Sequence, residues 1–190
     1  MRKSKQEAAA TRQRIVKAAA AAFRKDGIAG TGLSDLMAAA GLTHGGFYRH
    51  FDSKDQVVAE ACIAAAESLI DQLAASASGK SPQRGLKTIV ETYLSAAHRD
   101  QPVDGCPLAA LGSEMARGDE RTRAAATRAL LKLVGVIASQ FGKTRPDVAR
   151  RRALVAAATM IGALTMSRIV TDSELSAGIL REAEKQLLNS

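Results

Sequence analysis

LSDLMAAAGLTHGGFYRHF, residues 33–51, holds two short helical patterns with a glycine between them. Leu33, Leu36, Met37 and Ala40 recur at i, i+3, i+4 and i+7, which puts them on one apolar face of a helix. Gly41 ends that helix, because glycine enters the left-handed C′ conformation without a Cβ penalty. Beyond Leu42, Thr43 is a suitable N-cap for a second helix carrying His44, Phe47, Tyr48, Arg49, His50 and Phe51. The pair reads as a helix-turn-helix. Phe47 and Phe51, four apart, face inward, while His44, Tyr48, Arg49 and His50 offer donors and cations outward with no carboxylate among them. Gly45 and Gly46 each cost a helix about 1 kcal/mol relative to alanine. Glycine here suits a backbone that must approach another surface closely, and a DNA groove wall is the natural partner.

The run Gly41-Leu42-Thr43-His44-Gly45-Gly46-Phe47-Tyr48-Arg49-His50-Phe51, followed by Ser53-Lys54, resembles the DNA-binding signature of the TetR/AcrR family of bacterial transcription regulators. The likeness extends back through Phe23, Gly27, Thr31, Leu36 and Ala40, so its specific motifs cover roughly residues 10 to 56. Many members carry a bulkier residue where Gly46 stands. Beyond this region the resemblance is one of size and helix pattern, with a local exception at Gly105-Cys106.

The chain has 190 residues and a formal net charge of +8. Residues 1–52 hold nine Lys/Arg and four Asp/Glu, while residues 53–190 hold eighteen and fifteen, so most of the imbalance sits in the first quarter. That asymmetry fits a polyanionic partner. Two cysteines, Cys62 and Cys106, make neither a disulfide framework nor a metal spacing, and read as reduced thiols of a cytoplasmic protein. The basic start lacks the apolar run of a secretory signal, and no stretch reaches 18 consecutive apolar residues, so no membrane partner is expected.

Hydrophobic periodicity predicts an all-α chain of about nine helices. A three-helix DNA-binding domain (1–52) is joined without a flexible linker to a helical domain (53–190), which the resemblance implies is effector-binding and dimerising. Residues 1–8 read as frayed, and the first helix as Ala9–Asp26 with Ile15, Ala18, Ala19, Ala22 and Phe23 inward. Later helices are expected at Lys54–Ala75, Pro82–His98, Pro107–Ala116, Glu120–Phe141, Pro146–Thr171 and Ser173–Leu188.

No nucleophile, metal or phosphate-loop motif is present. His44 and His50 are six apart, on different sides of a helix, so no metal, cofactor or catalytic site is expected. Thr43 caps the second helix, whose N-terminus is also a phosphate site. Lys54 sits in the first turn of a helix, where a cation opposes the dipole and calls for an outside anion. The resemblance implies that this anion is a phosphate, that Tyr48 reaches the DNA, and that His50 contacts phosphate. His44, Gly45 and Gly46 lie where base edges are read, with Arg49 beside them. Thr31, Arg2, Lys3 and Lys5 are further phosphate candidates.

The resemblance also implies a sensing and dimerising C-terminal half. Leu154, Ala157, Ala158, Ile161, Leu164 and Thr165, with Leu175, Ile179, Leu180, Ala183 and Leu187, suit a four-helix interface between two copies, and suit an ordinary core nearly as well. Tyr93, His98, Cys106, Leu111, Met115, Phe141, Met160 and Met166 are candidates to line an effector cavity for a mostly apolar small molecule, although Met and aromatic residues at helical spacing are more often plain core. Cys106, placed by Pro107 at a helix N-terminus, is expected to have a lowered pKa there, which makes it a candidate sensor of oxidants or electrophiles; in many members of the family it resembles, a cysteine at this point is a packing residue instead. Cys62 reads as a small core residue. The function indicated is a homodimeric regulator, most simply a repressor, released from a palindromic double-stranded operator by an effector. The competing class is a helical interaction protein that binds acidic partners or RNA through its basic N-terminus.

Overall fold

The computed structural model describes residues 5–189. Among these the chain forms nine α-helices and three 3-10 turns, and no strand. α1 (Lys5–Asp26), α2 (Leu33–Ala39) and a 3-10 turn (His44–Arg49) make a small head, and α3 (Lys54–Ala77) runs from it into the body. The body comprises α4 (Pro82–Tyr93), α5 (Ala96–Asp100), α6 (Pro107–Ala116), α7 (Glu120–Ala138), α8 (Pro146–Ile169) and α9 (Ser173–Leu188). Two further 3-10 turns span Pro102–Asp104 and Ser139–Phe141. The phosphate candidates Arg2 and Lys3 lie outside the described residues.

Local chemistry accounts for most element ends. Gly27 and Gly41 close α1 and the turn after α2 at φ of 80° and 69°, a region that favours glycine. Ser53, Asp119 and Asp172 cap α3, α7 and α9, accepting from the amides of Gln56 (3.1 Å), Thr122 (2.7 Å) and Leu175 (2.8 Å). α1 begins by Lys5, so residues 5–8 are helical rather than frayed. The helix expected to reach His98 stops at Tyr93, because Ser95 turns outward and caps α5, accepting from the His98 amide at 3.1 Å. The second motif helix is 3-10, with Gly46 N–H donating to Thr43 O at 3.0 Å and His50 N–H to Phe47 O at 2.9 Å. Thr43 precedes it in extended conformation but makes no side-chain cap.

Two hydrophobic cores share α3. The head core joins Ile15, Phe23, Leu36, Met37, Phe47 and Phe51 to Val57, Val58, Ala61 and Cys62 on the first half of α3. Leu111 and Met115 of α6 also enter it. The body core joins Ile70 and Leu73 from the second half of α3 to Ile89, Tyr93, Leu133, Ile137, Met160 and Leu164. Alanines at 129, 153, 156 and 157 let the body helices approach closely. The span Glu120–Phe141 and α8 are long and apolar enough to cross a membrane by length and composition. Here both supply the body core.

Candidate nucleic-acid interface

The 3-10 turn stands on two aromatic anchors. Phe47 and Phe51 are buried, with ring centroids 5.6 Å apart in a stacked arrangement. The Arg12 guanidinium lies 4.1 Å over the Phe51 ring. It also pairs bidentately with Glu60, Nη2 donating to Oε1 at 2.8 Å and Nη1 to Oε2. That hydrogen bonding holds the Arg12 pKa above its ordinary value. α1, the turn and α3 are thereby fastened at one point. Tyr48 projects from the opposite side, 66% exposed, with its ring edge against Phe47 at 5.2 Å.

Thr43, His44, Gly45, Tyr48 and Arg49 are all exposed on this turn, and His50 is half-buried at its end. His44 Nδ1 lies 3.4 Å from Ser34 Oγ, which ties the turn to α2. A Cβ at Gly45 would meet nothing within 4 Å, and one at Gly46 would meet only Met37 Cε at an ordinary 3.5 Å. Neither glycine has a positive φ. Nothing inside the protein requires glycine at these two positions. Two candidates stand apart from this surface. Thr31 is 3% exposed and its hydroxyl donates to Gly27 O at 2.7 Å, so it clasps the turn after α1. Lys54 is half-buried and Nζ donates to Ile28 O at 2.5 Å, which positions the ammonium without neutralising its charge.

Residues that sequence reasoning passes over fix the head to the body. Arg24 Nε donates to Val103 O at 2.5 Å, and Ala29 N–H donates to Glu114 Oε2 at 2.9 Å. Their partners lie 79 and 85 residues away, so no local spacing announces them.

The eight effector candidates do not surround one cavity. Leu111 and Met115 are buried in the head core, whereas Tyr93, Cys106 and Met160 are buried in the body core. Phe141 lies half-buried on another side, its ring 4.4 Å below the Arg152 guanidinium, and Met166 is exposed. Those in the two cores are packed interior, whereas Phe141 borders grooves lined by Leu86, Arg152 and Leu187.

Around Cys106 the structure forms a polar clasp. The His98 ring accepts at Nε2 from Cys106 N–H at 2.9 Å, so Nδ1 carries the proton and donates to Tyr93 O at 2.7 Å. Tyr93 meets the His98 ring edge-on at 4.8 Å. Arg168 donates to Arg99 O at 3.0 Å and His98 O at 2.6 Å. A Cβ at Gly105 would lie 2.7 Å from His98 Nε2, so glycine there permits the ring's approach. Burial, with repulsion from Arg168, lowers the His98 pKa from its ordinary 6.5, although the Tyr93 carbonyl opposes this. A buried neutral histidine contributes stability that is fully present above about pH 6.5 and is lost as pH falls below it, until the folded pKa is passed. A His98→Gln variant should therefore lose less of its urea midpoint than the parent protein between about pH 7.5 and 5.5.

Cys106 occupies the N-cap position of α6 as Pro107 implies, but its thiol is buried and makes no side-chain cap. Burial raises its pKa, outweighing Tyr93 and the first amides of α6, which favour the thiolate. The expected lowering is thus reversed. Cys62 is likewise pushed up to about 12 by burial. Iodoacetamide at neutral pH should label both cysteines at least about tenfold more slowly in the native protein than in the urea-unfolded chain, by mass spectrometry.

The residues named for pairing divide. Ala157, Leu164 and Leu180 are buried within the body core, while Leu154 and Leu175 are exposed. Val155 and Ile169 are 65% and 64% exposed, and Met166 is exposed too, so α8 and α9 bear an uncovered apolar face.

The model of bacterial regulatory proteins of the tetR family matches residues 15–61, and that of the LmrA/YxaF-like transcriptional regulator C-terminal domain matches residues 82–186. The HTH-type transcriptional regulator TtgR of Pseudomonas putida is 45% identical over 58 residues, 30% of this chain and 28% of that protein. The HTH-type transcriptional regulator AcrR of Shigella flexneri is 37% identical over 93 residues, 49% of this chain and 43% of that protein. The matched segment thus spans less than half the length of either relative. A crystal structure of a TetR transcriptional regulator from Chloroflexus aurantiacus is similar over nearly the whole fold. It has a TM-score of 0.79 at 32% identity, with 97% of this chain and 95% of that chain covered. From the motif in the head to the helical body behind it, the chain belongs to the TetR family of bacterial transcriptional regulators.

Proposed function

We propose that this protein is a homodimeric, cytoplasmic repressor that binds a near-palindromic DNA operator and leaves it when an effector binds the body. Residues 1–52 act as the DNA reader and residues 53–190 as the sensing and pairing part. The reading rests on one observation: an exposed turn, fixed from behind by Phe47 and Phe51, presents Tyr48 and an unobstructed Gly45 to the outside. His44, Gly45 and Gly46 read base edges, while Thr43, Tyr48, Arg49, His50 and Lys54 hold phosphates, with Thr31 supporting the backbone around them. Two copies joined through the apolar face of α8 and α9 would present two such turns. Half-sites about 34–36 Å apart, or a multiple of that, then follow from the docking geometry. The buried Cys106 favours a reversibly bound small molecule over an electrophile as the releasing signal. No cofactor and no catalytic step is part of this function.

Selection of bound fragments from the source genome by the purified protein is the test, with light scattering to give the mass of the free species. One enriched near-palindrome bound by a dimer is the expected result. Binding that is salt-dependent but indifferent to sequence would instead support the acidic-partner or RNA reading and reject this one.

A further inference from the structure

A cleft of about 430 Å³ opens between α6 and α8, and two arginines line it: Arg24, which comes from the head, and Arg168 of α8. Leu108, Ala109, Thr165 and Ile169 are among the remaining wall, and among the described residues no carboxylate contributes to it. Each guanidinium is oriented by carbonyl oxygens, Arg24 by Val103 and Arg168 by Arg99 and His98. Carbonyls satisfy donors but do not cancel a charge. Nη1 of Arg168 is buried and has no hydrogen-bond partner among the described residues.

Acidic side chains nearby compensate only in part. Asp104 acts on Arg24 and Asp100 on Arg168, but Asp104 and Asp100 are exposed to solvent. Asp100 is already engaged by Arg99 through bonds of 2.7 and 3.1 Å. Burial lowers the pKa of both Arg24 and Arg168, as it does for cations short of counter-charge. The larger groove between α1 and α3, about 950 Å³, differs in this respect. There the carboxylates of Glu60 and Glu67 are part of the wall beside Arg12 and Lys17, Arg12 being paired with Glu60, so that wall offers an anion no comparable excess of positive charge.

We propose that the α6–α8 cleft binds a small organic carboxylate, its charge met by Arg24 and Arg168 and its apolar body lying against Leu108, Ala109 and Ile169. Its regulatory meaning rests on the repressor reading above; its occupancy does not. Arg24 belongs to the head and clasps the body at Val103, so an anion that engages this guanidinium acts at the head–body junction itself. α6 forms one wall of the cleft and also sends Leu111, Met115 and Glu114 into or against the head. A carboxylate that prefers one arrangement of this junction shifts the equilibrium by its differential affinity. Ile169 borders both the cleft and the apolar face proposed for pairing.

The chain contains no Trp, so naphthalene fluorescence can report binding without indole background. The 190-residue chain, free of DNA, is titrated with 2-naphthoate and with the neutral isostere 2-naphthamide. Saturable 2-naphthoate binding at one site per protomer is expected, with 2-naphthamide at least about tenfold weaker. Arg24→Gln should weaken 2-naphthoate at least about tenfold, while Arg24→Lys, which keeps the charge but loses the fork that also holds Val103 O, should weaken it less than Arg24→Gln does. Ser113→Glu, an exposed change on the cleft wall, should also weaken it while leaving the helical circular dichroism unchanged. Absence of 2-naphthoate binding at millimolar concentration, equal binding of the amide, or equal affinity in Arg24→Gln and Ser113→Glu overturns the site. Operator affinity unchanged by saturating 2-naphthoate overturns its coupling to the head. Failure to select any operator overturns the regulatory reading alone, because the titration contains no DNA.

Discussion

Phe47→Ala lowers the thermal midpoint by about 6–20 °C. The side chain is fully buried, and it touches Tyr48 edge-on and Phe51 face to face. Removing a buried phenyl ring costs about 3–5 kcal/mol through lost burial and the cavity left behind. A chain of this length shifts by about 2–4 °C for each kcal/mol. The loss should fall on the head first, since Phe47 belongs to the core of Ile15, Phe23, Leu36 and Met37 rather than to that of the body. Differential scanning calorimetry gives the shift, and hydrogen exchange gives its location. A change below about 1 kcal/mol would mean that the turn does not stand on this ring.

Gly45→Ala separates folding from recognition. A methyl at this position meets nothing within 4 Å, and the residue has no positive φ to forbid it. Alanine also restricts the unfolded chain, so stability should hold or rise by up to about 1 kcal/mol. If the turn backbone packs against a groove wall, the same methyl intrudes there. Operator affinity should then fall at least about tenfold, equivalent to about 1.4 kcal/mol. Chemical denaturation and fluorescence anisotropy measure the two quantities side by side. A variant that is stabilised and still binds its operator at full affinity would show that glycine at 45 serves no close approach.

Much of the architecture is written in local chemistry. Ser53, Asp119 and Asp172 sit where short acceptor side chains precede apolar periodic runs, and each caps a helix. Gly27 and Gly41 stand where left-handed backbone is needed. The inward aromatic pair and outward Tyr48 follow from four-residue spacing. Three features are not legible in this way. The motif's second helix is 3-10, a choice between i+3 and i+4 bonding that two glycines leave nearly balanced. The break after Tyr93 hides behind a good apolar pattern, although Ser95 three residues before His98 is a capping arrangement. The place of Cys106 at a helix start points to a lowered pKa, but the desolvation that reverses it comes from distant helices. The same blindness to long-range contacts affects Leu111 and Met115, whose spacing identifies a buried face without naming the core it enters. The candidate DNA contacts are therefore mostly readable, whereas the arginines of the α6–α8 cleft are not.

α3 has a consequence for anyone wishing to build chimeras from this chain. Its first half is wall to the head and its second half is wall to the body, and α6 adds Leu111 and Met115 across the divide. A peptide cut after residue 52 would leave behind Val57, Val58, Ala61 and Cys62, and should remain largely unfolded in solution. Transplanting this reader onto a foreign sensor accordingly requires carrying α3 through Ala65 and supplying a substitute for the two α6 side chains. The exchangeable part is defined by shared packing, and the crossover point falls inside a helix.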